Sequence, residues 1–120
     1  MLSQREIGSI AEQLAKKYLQ KNGMQIIETN WYHGHLELDI IARDGNELVI
    51  VEVKSRNGIR FEHPADALKN IKIKRIIEAA EAYIMEKRSD LETRFDLITI
   101  IFFGNDFEIE HFKNAFFPTM

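Results

Sequence analysis

The stretch HLELDIIARDGNELVIVEVK, residues 35–54, decides the fold because it holds two β-rich runs joined by turn residues. The runs cover 35–43 and 47–54, and Asp-Gly-Asn lies between them. Turn residues between two β-rich runs predict a β-hairpin. The sequence therefore predicts an antiparallel hairpin at the centre of the fold.

Side chains alternate along a strand, so the hairpin has two faces. The apolar face is predicted to combine Leu36, Leu38, Ile40 and Ala42 with Val49, Val51 and Val53. The opposite face carries His35, Glu37, Asp39 and Ile41 together with Leu48, Ile50, Glu52 and Lys54. A loop of two or four residues pairs Ile40 with Val51, Asp39 with Glu52 and Glu37 with Lys54. A three-residue loop would place Asp39 among the valines, which the hydrophobic pattern forbids.

Two carboxylates that face each other across a strand pair repel, at a cost of up to about 1 kcal/mol. A solvated charge cluster is one explanation. A divalent cation is the other, because Mg²⁺ prefers carboxylate oxygens, phosphate oxygens and water. Ile41 and Ile50 lie on the same face as Asp39 and Glu52, which indicates partial burial. Two acids beside a lysine would suit phosphodiester hydrolysis. From the residues alone, both explanations stay open.

The remaining elements follow from helical and strand periodicity. Ser3 and Glu6 form a capping box pattern that opens a helix, and Gly23 ends it. The predicted elements are a helix over 4–22, a strand over 24–31, the hairpin, a helical turn near 64–69, a helix over 71–87, and strands over 94–103 and 107–112. This α-β-β-β-α-β-β order predicts an α/β protein with a mixed sheet flanked by helices.

Composition places the chain among soluble globular proteins. With 120 residues, 45% hydrophobic and 29% charged, we expect a single domain over 1–120. The absence of cysteine excludes disulfides, thiolate metal sites and a thiol nucleophile. There is no apolar run of membrane-spanning length and no signal-peptide pattern, so we expect a cytoplasmic protein with no membrane partner.

Positive charge is concentrated after the hairpin. Residues 54–75 contain seven Lys or Arg and two acidic residues, although the whole chain has a net charge of −3. A solvated helix face is one explanation. Contact with a phosphate backbone is the other, and its candidate residues are Arg56, Arg60, Lys72, Lys74 and Arg75.

Five stretches together resemble a known family over nearly the whole chain. They are GHLELDIIARDG, VEVKSR, KRIIEAAEAYI, RFDLITI and KNAFF. They are similar to the YraN family of uncharacterised, endonuclease-like bacterial proteins, within the PD-(D/E)XK nuclease superfamily, and they also resemble the small archaeal Holliday-junction resolvases. Asp39 matches the superfamily aspartate, and Glu52-Val53-Lys54 matches the (D/E)xK element.

The resemblance implies a restriction-endonuclease-like αβββαββ core and a nuclease site. In that site Asp39 and Glu52 bind Mg²⁺ or Mn²⁺, Lys54 orients or activates water, and Glu37 supplements the carboxylates. It adds Glu12 on the first helix, which the pattern alone would leave as a boundary residue. The implied partner is nucleic acid, DNA before RNA, and a homodimer would suit a branched substrate because it presents two identical sites.

Two alternatives to an endonuclease remain at this stage. A nuclease fold that binds branched or duplex DNA without cutting it would keep the same basic segment. The second alternative is a hydrolase of a substrate other than nucleic acid that uses the paired acids as general acid and base. The lysine and the basic segment fit a phosphate substrate better than a sugar.

Overall fold

The structure is a computed structural model that describes residues 2–58 and 63–118. The element order is α1 (Gln4–Lys21), β1 (Gln25–His33), β2 (Leu36–Asp44), β3 (Glu47–Asn57), α2 (Pro64–Ala67), α3 (Asn70–Lys87), β4 (Glu92–Phe103) and β5 (Asp106–Phe116). None of the helices in the described ranges is long and apolar enough to cross a membrane.

The five strands form one mixed sheet in the order β1-β2-β3-β4-β5. β3 and β4 are parallel, and the other neighbours are antiparallel. The parallel pair needs a crossover, which α2 and α3 provide. The predicted mixed sheet and αβββαββ order are confirmed. The last strand is longer than predicted, since β5 continues to Phe116.

Helix α1 begins and ends where its sequence pattern predicts. The Ser3 hydroxyl accepts a hydrogen bond from the Glu6 backbone N–H at 3.1 Å, and the Ser3 backbone N–H donates to the Glu6 carboxylate at 3.0 Å. The helix ends at Lys21 with Asn22 as its C-cap, and Gly23 has φ +90°, a conformation that glycine adopts without a Cβ penalty. The capping box fixes the start of the helix that carries Glu12.

Each face of the sheet is covered by one long helix. The cluster on the α1 face contains Ala11, Ala15, Leu19, Met24, Ile40, Ala42, Val49, Val51, Ile98 and Ile100. The cluster on the α3 face includes Leu36, Leu38, Ile41, Leu48, Ile50, Ile76, Ala80, Tyr83, Phe95 and Leu97. Strand β4 contributes to both clusters, as expected of a central strand that is covered on both sides.

The predicted faces of β2 are wrong at one point. Leu36 and Leu38 pack on the α3 face with Ile41, whereas Ile40 and Ala42 pack on the α1 face. Strict alternation would have kept Leu36, Leu38, Ile40 and Ala42 together. The pleat of β2 therefore reverses between Leu38 and Ile41.

The reversal lies opposite an unusual residue in the neighbouring strand. Thr29 pairs with Ile40 and Trp31 pairs with Leu38, so Asn30 is the residue opposite Asp39. Asn30 has φ +49°, in the left-handed region that Asn adopts more readily than most residues. A left-handed residue within a strand interrupts the regular alternation of side chains.

A buried ion-pair network supports the hairpin from the α1 side of the sheet. Arg94 donates two hydrogen bonds to Asp96, each 2.9 Å long. The same guanidinium contacts Asp44 at 3.0 Å and Glu47 at 2.9 Å, one residue from each strand of the hairpin. Asp96, which is fully buried, also contacts His111 at 2.7 Å. This network ties β4 and β5 to the turn of the hairpin.

Candidate active site

The hairpin register is as predicted, but the strand pairing ends early. Ile40 pairs with Val51, and the ladder continues from there to Asp44 and Glu47. On the other side of Ile40, the Asp39 carboxylate accepts a hydrogen bond from the Val53 backbone N–H at 2.9 Å. The Asp39 carboxylate therefore binds an N–H that a backbone carbonyl of β2 would bind in a regular ladder. The predicted Asp39–Glu52 and Glu37–Lys54 pairs are not part of the ladder between β2 and β3.

Asp39 and Glu52 are nevertheless adjacent and buried. The exposed fraction of Asp39 is 8% and that of Glu52 is 4%. Burial, together with the charge of Glu52 and a hydrogen bond to it, raises the pKa of Asp39 to about 8, against the opposing effect of the Val53 N–H. Two buried carboxylates in contact cannot both stay ionised without a counter-charge. Asp39 therefore favours its protonated form near neutral pH unless a cation replaces the proton.

Lys72 of α3 reaches the same pair. Its ammonium nitrogen lies 3.5 Å from Oε2 of Glu52, and its side chain is 37% exposed. The sequence predicted Lys72 as a contact to phosphate from a helix surface. The structure places it at the edge of the carboxylate pair, where it could touch both Glu52 and an incoming phosphate.

Lys54 lies two residues beyond Glu52 in β3. The parallel ladder between β3 and β4 runs without interruption from Glu47 to Asn57, so side chains alternate regularly along this stretch. Lys54 is therefore on the same face as Glu52, as predicted, and it is half-buried.

Glu12 and Glu37 meet on the α1 side of the sheet. One amide nitrogen, Nδ2 of Asn30, donates to Oε1 of Glu12 at 2.8 Å and to Oε2 of Glu37 at 3.0 Å. The prediction that Glu37 shares a face with Glu52 and Lys54 is wrong, because the pleat reversal in β2 turns Glu37 toward α1.

The two groups of carboxylates are electrostatically coupled through Asp39. Burial raises the pKa of Glu12, the Asn30 hydrogen bond opposes this, and the charges of Asp39 and Glu37 raise it further. The charge of Glu37 also contributes to the raised pKa of Asp39. Asp39 thus lies between the Glu52–Lys72 pair and the Glu12–Glu37 pair.

Sequence reasoning missed two residues of this region. Tyr32, the ladder partner of Glu37, is exposed, and a hydrogen bond to Glu37 raises the pKa of its hydroxyl. Asn30 lies inside the strand predicted over 24–31, and its side chain has no predicted role in the site. An asparagine in a β-rich run was the available signal, because Asn is depleted in strands and enriched at left-handed positions.

The other predicted nucleic-acid contacts are dispersed. Arg56 lies at a cavity of about 300 Å³ that is also lined by Gln4, Ile7, Ser55 and Asn57. Lys74 lines a different cavity, beside Phe116 and Phe117, and Arg75 is exposed on α3. Arg60 lies outside the described residues. Within the described ranges, Lys72 is the member of this set that is seen in an ion pair with a carboxylate of the site.

The carboxylates of Asp39 and Glu52 fit a divalent cation whose remaining ligands come from a substrate and from water. Among residues 2–58 and 63–118, no group of three or more His, Asp or Glu side chains is arranged to hold a metal ion alone. Mg²⁺ in phosphoryl-transfer sites commonly uses one or two protein carboxylates, and substrate phosphates and water supply the remaining oxygens. Asp39 and Glu52 provide that number of ligands.

The fold is shared with a protein of known structure. The structure is similar to that of Archaeoglobus fulgidus Hjc, a Holliday junction resolvase from an archaeal hyperthermophile, with a TM-score of 0.53. The match covers 88% of this chain and 76% of the resolvase chain, at 15% sequence identity. At this identity the similarity shows the fold alone, and it confirms the predicted restriction-endonuclease-like core.

The chain belongs to the uncharacterised protein family UPF0102, whose model matches residues 11–100. A UPF0102 protein of Bacteroides thetaiotaomicron is 44% identical over 120 residues, covering 100% of this chain and 99% of the relative. Another, from Flavobacterium psychrophilum, is 43% identical over 117 residues, covering 98% of each chain. The resemblance to the YraN family is thereby confirmed.

Proposed function

We propose that the protein is a divalent-cation-dependent endonuclease that hydrolyses phosphodiester bonds in DNA, with branched or otherwise structured DNA as its substrate class. The observation that carries the proposal is the contact between two buried carboxylates, Asp39 and Glu52, at the point where the hairpin ladder ends. Lys54 on the same face as Glu52 supports it.

Each side chain of the site has a role that its position supports. Asp39 and Glu52 would hold Mg²⁺ or Mn²⁺, and the Val53 N–H fixes the orientation of Asp39. When bound, such a cation polarises the phosphate and lowers the pKa of water. Lys54 orients the attacking water and stabilises negative charge on the phosphate. Glu12 and Glu37 supplement the negative field around Asp39.

Basic residues around the carboxylates would bind the phosphate backbone. Lys72 is the residue best placed for this, because its ammonium group is half-exposed beside Glu52. Arg56, Arg60, Lys74 and Arg75 are the further candidates. Contacts of this kind are independent of sequence and weaken with salt.

Branched DNA is the substrate class because the similar structure is described as a Holliday junction resolvase. A homodimer would match the two-fold symmetry of such a junction, with one site for each of two strands.

The relatives are bacterial, and bacterial DNA lies in the cytoplasm, which is the location we propose.

The test is a cleavage assay on a labelled four-way DNA junction and a matched duplex, with a gel-shift assay in parallel. We expect cleavage of the junction with Mg²⁺ or Mn²⁺, no cleavage with EDTA, and loss of cleavage in Asp39→Asn and Lys54→Met. Asp90→Asn is the matched control, because Asp90 is an exposed aspartate beside Leu91 and Glu92, remote from the site.

The outcomes separate the alternatives. Binding to the junction without cleavage at any cation concentration would favour a DNA-binding module on a nuclease fold. Cleavage that persists in EDTA or in Asp39→Asn would refute the assignment of Asp39.

A further inference from the structure

Asn30 lies where the regular alternation of side chains is interrupted in two neighbouring strands, β1 and β2. In β2, Leu38 and Ile41 are three residues apart and both pack on the α3 face. In β1, Glu28 and Trp31 are also three residues apart, and both contact α3, through Lys87 and Tyr83 respectively. Regular alternation would put residues three apart on opposite faces. Both strands therefore reverse their pleat at the facing positions Asn30 and Asp39.

The backbone of Asn30 accounts for the reversal in β1. Its φ of +49° is left-handed, and in the described part of β1 it is the only residue with a positive φ. The reversal in β2 matches it across the ladder, where the pairs on either side are Thr29–Ile40 and Trp31–Leu38. As a result the Asp39 carboxylate meets the Val53 backbone N–H and Glu52, beyond the end of the β2–β3 ladder, rather than lying on a regular sheet face.

The side chain of Asn30 makes a second, separate contribution. Its amide nitrogen carries two hydrogens and donates to Oε1 of Glu12 and to Oε2 of Glu37, with N···O distances of 2.8 Å and 3.0 Å. The amide is neutral, so it holds two carboxylates side by side without cancelling their charge. A lysine or arginine at the same place would also bind them but would reduce the negative field around Asp39.

We propose that Asn30 is a positioning residue of the active site. Its left-handed backbone directs Asp39 out of the regular sheet face, and its amide holds Glu12 and Glu37 beside Asp39. The inference rests on the proposed function, because the residues that Asn30 positions are those of the proposed nuclease site.

Two substitutions separate the backbone contribution from the amide contribution. Asn30→Gly keeps the left-handed conformation and removes the amide, whereas Asn30→Ala removes the amide and strains the backbone. Asn114→Gly is the matched control, because Asn114 has φ +52° and its backbone N–H binds Asp96 rather than a carboxylate of the site.

The measurements are kcat and KM on the four-way junction, the Kd for Mn²⁺, and the thermal unfolding midpoint. For Asn30→Gly we expect kcat and Mn²⁺ affinity to fall by roughly 10-fold, the scale seen when groups that support a metal site from outside its ligands are removed, because Glu12 and Glu37 are no longer held together; KM and the midpoint should stay close to wild type. Asn30→Ala should show larger losses of kcat and Mn²⁺ affinity than Asn30→Gly, and a lower midpoint, because it also strains the backbone that directs Asp39. Wild-type kcat and Mn²⁺ affinity in Asn30→Gly, or equal losses in Asn114→Gly, would overturn the inference.

A crystal structure of Asn30→Gly keeps the test independent of the proposed function. Separation of the Glu12 and Glu37 carboxylates, relative to a wild-type crystal structure, would support the positioning role even if the wild-type protein neither binds Mn²⁺ nor cleaves DNA. In that case the proposed function alone would fail. Carboxylates that keep their wild-type positions without the amide would overturn the inference, whatever the activity.

Discussion

The carboxylate of Asp39 binds the backbone N–H of Val53, the residue that separates Glu52 from Lys54. This bond joins β2 to β3 beyond the end of their ladder, so Asp39 fixes the strand segment that carries the other two site residues. A structural role and a chemical role therefore coincide in one side chain, and substitutions can separate them.

Asp39→Asn and Asp39→Ala should differ in stability but not in activity. The Asn side chain keeps an oxygen that can accept the Val53 N–H, whereas Ala leaves this donor without a partner, at a cost of about 1–3 kcal/mol. We expect both variants to lose cleavage, and only Asp39→Ala to show a lower free energy of unfolding in urea. Equal stability of the two variants would show that the Val53 bond contributes nothing.

The stability of the metal-free protein should depend on pH through Asp39. Burial and the neighbouring carboxylate raise its pKa from 3.8 to about 8. A carboxyl group with a raised pKa binds its proton more tightly in the folded state, so its contribution to stability falls as pH rises from about 4 to about 8.

Urea unfolding of wild type and Asp39→Asn in EDTA, at a series of pH values from 5 to 8, measures this contribution. The variant has no carboxyl group at this position, so its stability relative to wild type should increase with pH, by an amount on the order of a few kcal/mol. Asp90→Asn supplies the baseline for a surface aspartate. A difference between wild type and Asp39→Asn that is constant with pH would contradict the assignment.

Lys72→Ala should have opposite effects on cation binding and on DNA binding. Its ammonium group lies 3.5 Å from Oε2 of Glu52, so its removal leaves that carboxylate more available to Mn²⁺. We expect Mn²⁺ affinity to increase by roughly 2- to 10-fold, and junction binding to weaken with a smaller dependence on salt.

Lys74→Ala is the matched control for Lys72→Ala, two residues along the same helix. Lys74 lines the cavity beside Phe116 and Phe117, away from Glu52. Its removal should leave Mn²⁺ affinity unchanged. If the two variants change Mn²⁺ affinity equally, the effect is one of overall charge and not of the Lys72–Glu52 contact.

The Arg94–Asp96 pair should matter for stability rather than chemistry. Asp96 is fully buried and receives two hydrogen bonds from Arg94. Asp96→Ala leaves a buried guanidinium with fewer partners, and breaking a buried pair in this way costs about 3–5 kcal/mol. We expect the urea midpoint to fall while Mn²⁺ affinity, measured on the folded protein at low temperature, stays within twofold of wild type. A large loss of Mn²⁺ affinity would place the network in the site.

Much of the fold could be predicted from the sequence because local signals and burial agree. The capping box at Ser3 and Glu6, the glycine after α1, and the Ile40–Val51 register all follow from short-range chemistry. The strand predicted over 94–103 likewise follows from a nearly continuous apolar run. These features depend on neighbours in sequence or on a hairpin with a short turn.

The site was less predictable because it depends on a departure from regular alternation. The pattern placed Glu37 with Glu52 and Lys54, and a single left-handed residue in a different strand, Asn30, reverses that assignment. The contact of Lys72 with Glu52 depends on how α3 lies across the sheet, which periodicity does not specify. Asp39 and Glu52 are neighbours, as predicted from the sequence. They are not a ladder pair, however, because the Asp39 carboxylate binds the Val53 backbone N–H where the ladder would have continued.

The central claim is that Asp39 and Glu52 hold a divalent cation, and a Mg²⁺ titration followed by backbone amide shifts tests it most directly. We predict saturable shifts confined to residues 37–54 and their neighbours in space, with Mn²⁺ broadening the same resonances, and their loss in Asp39→Asn. No shifts in wild type, or the same saturable shifts in Asp39→Asn, would contradict the claim.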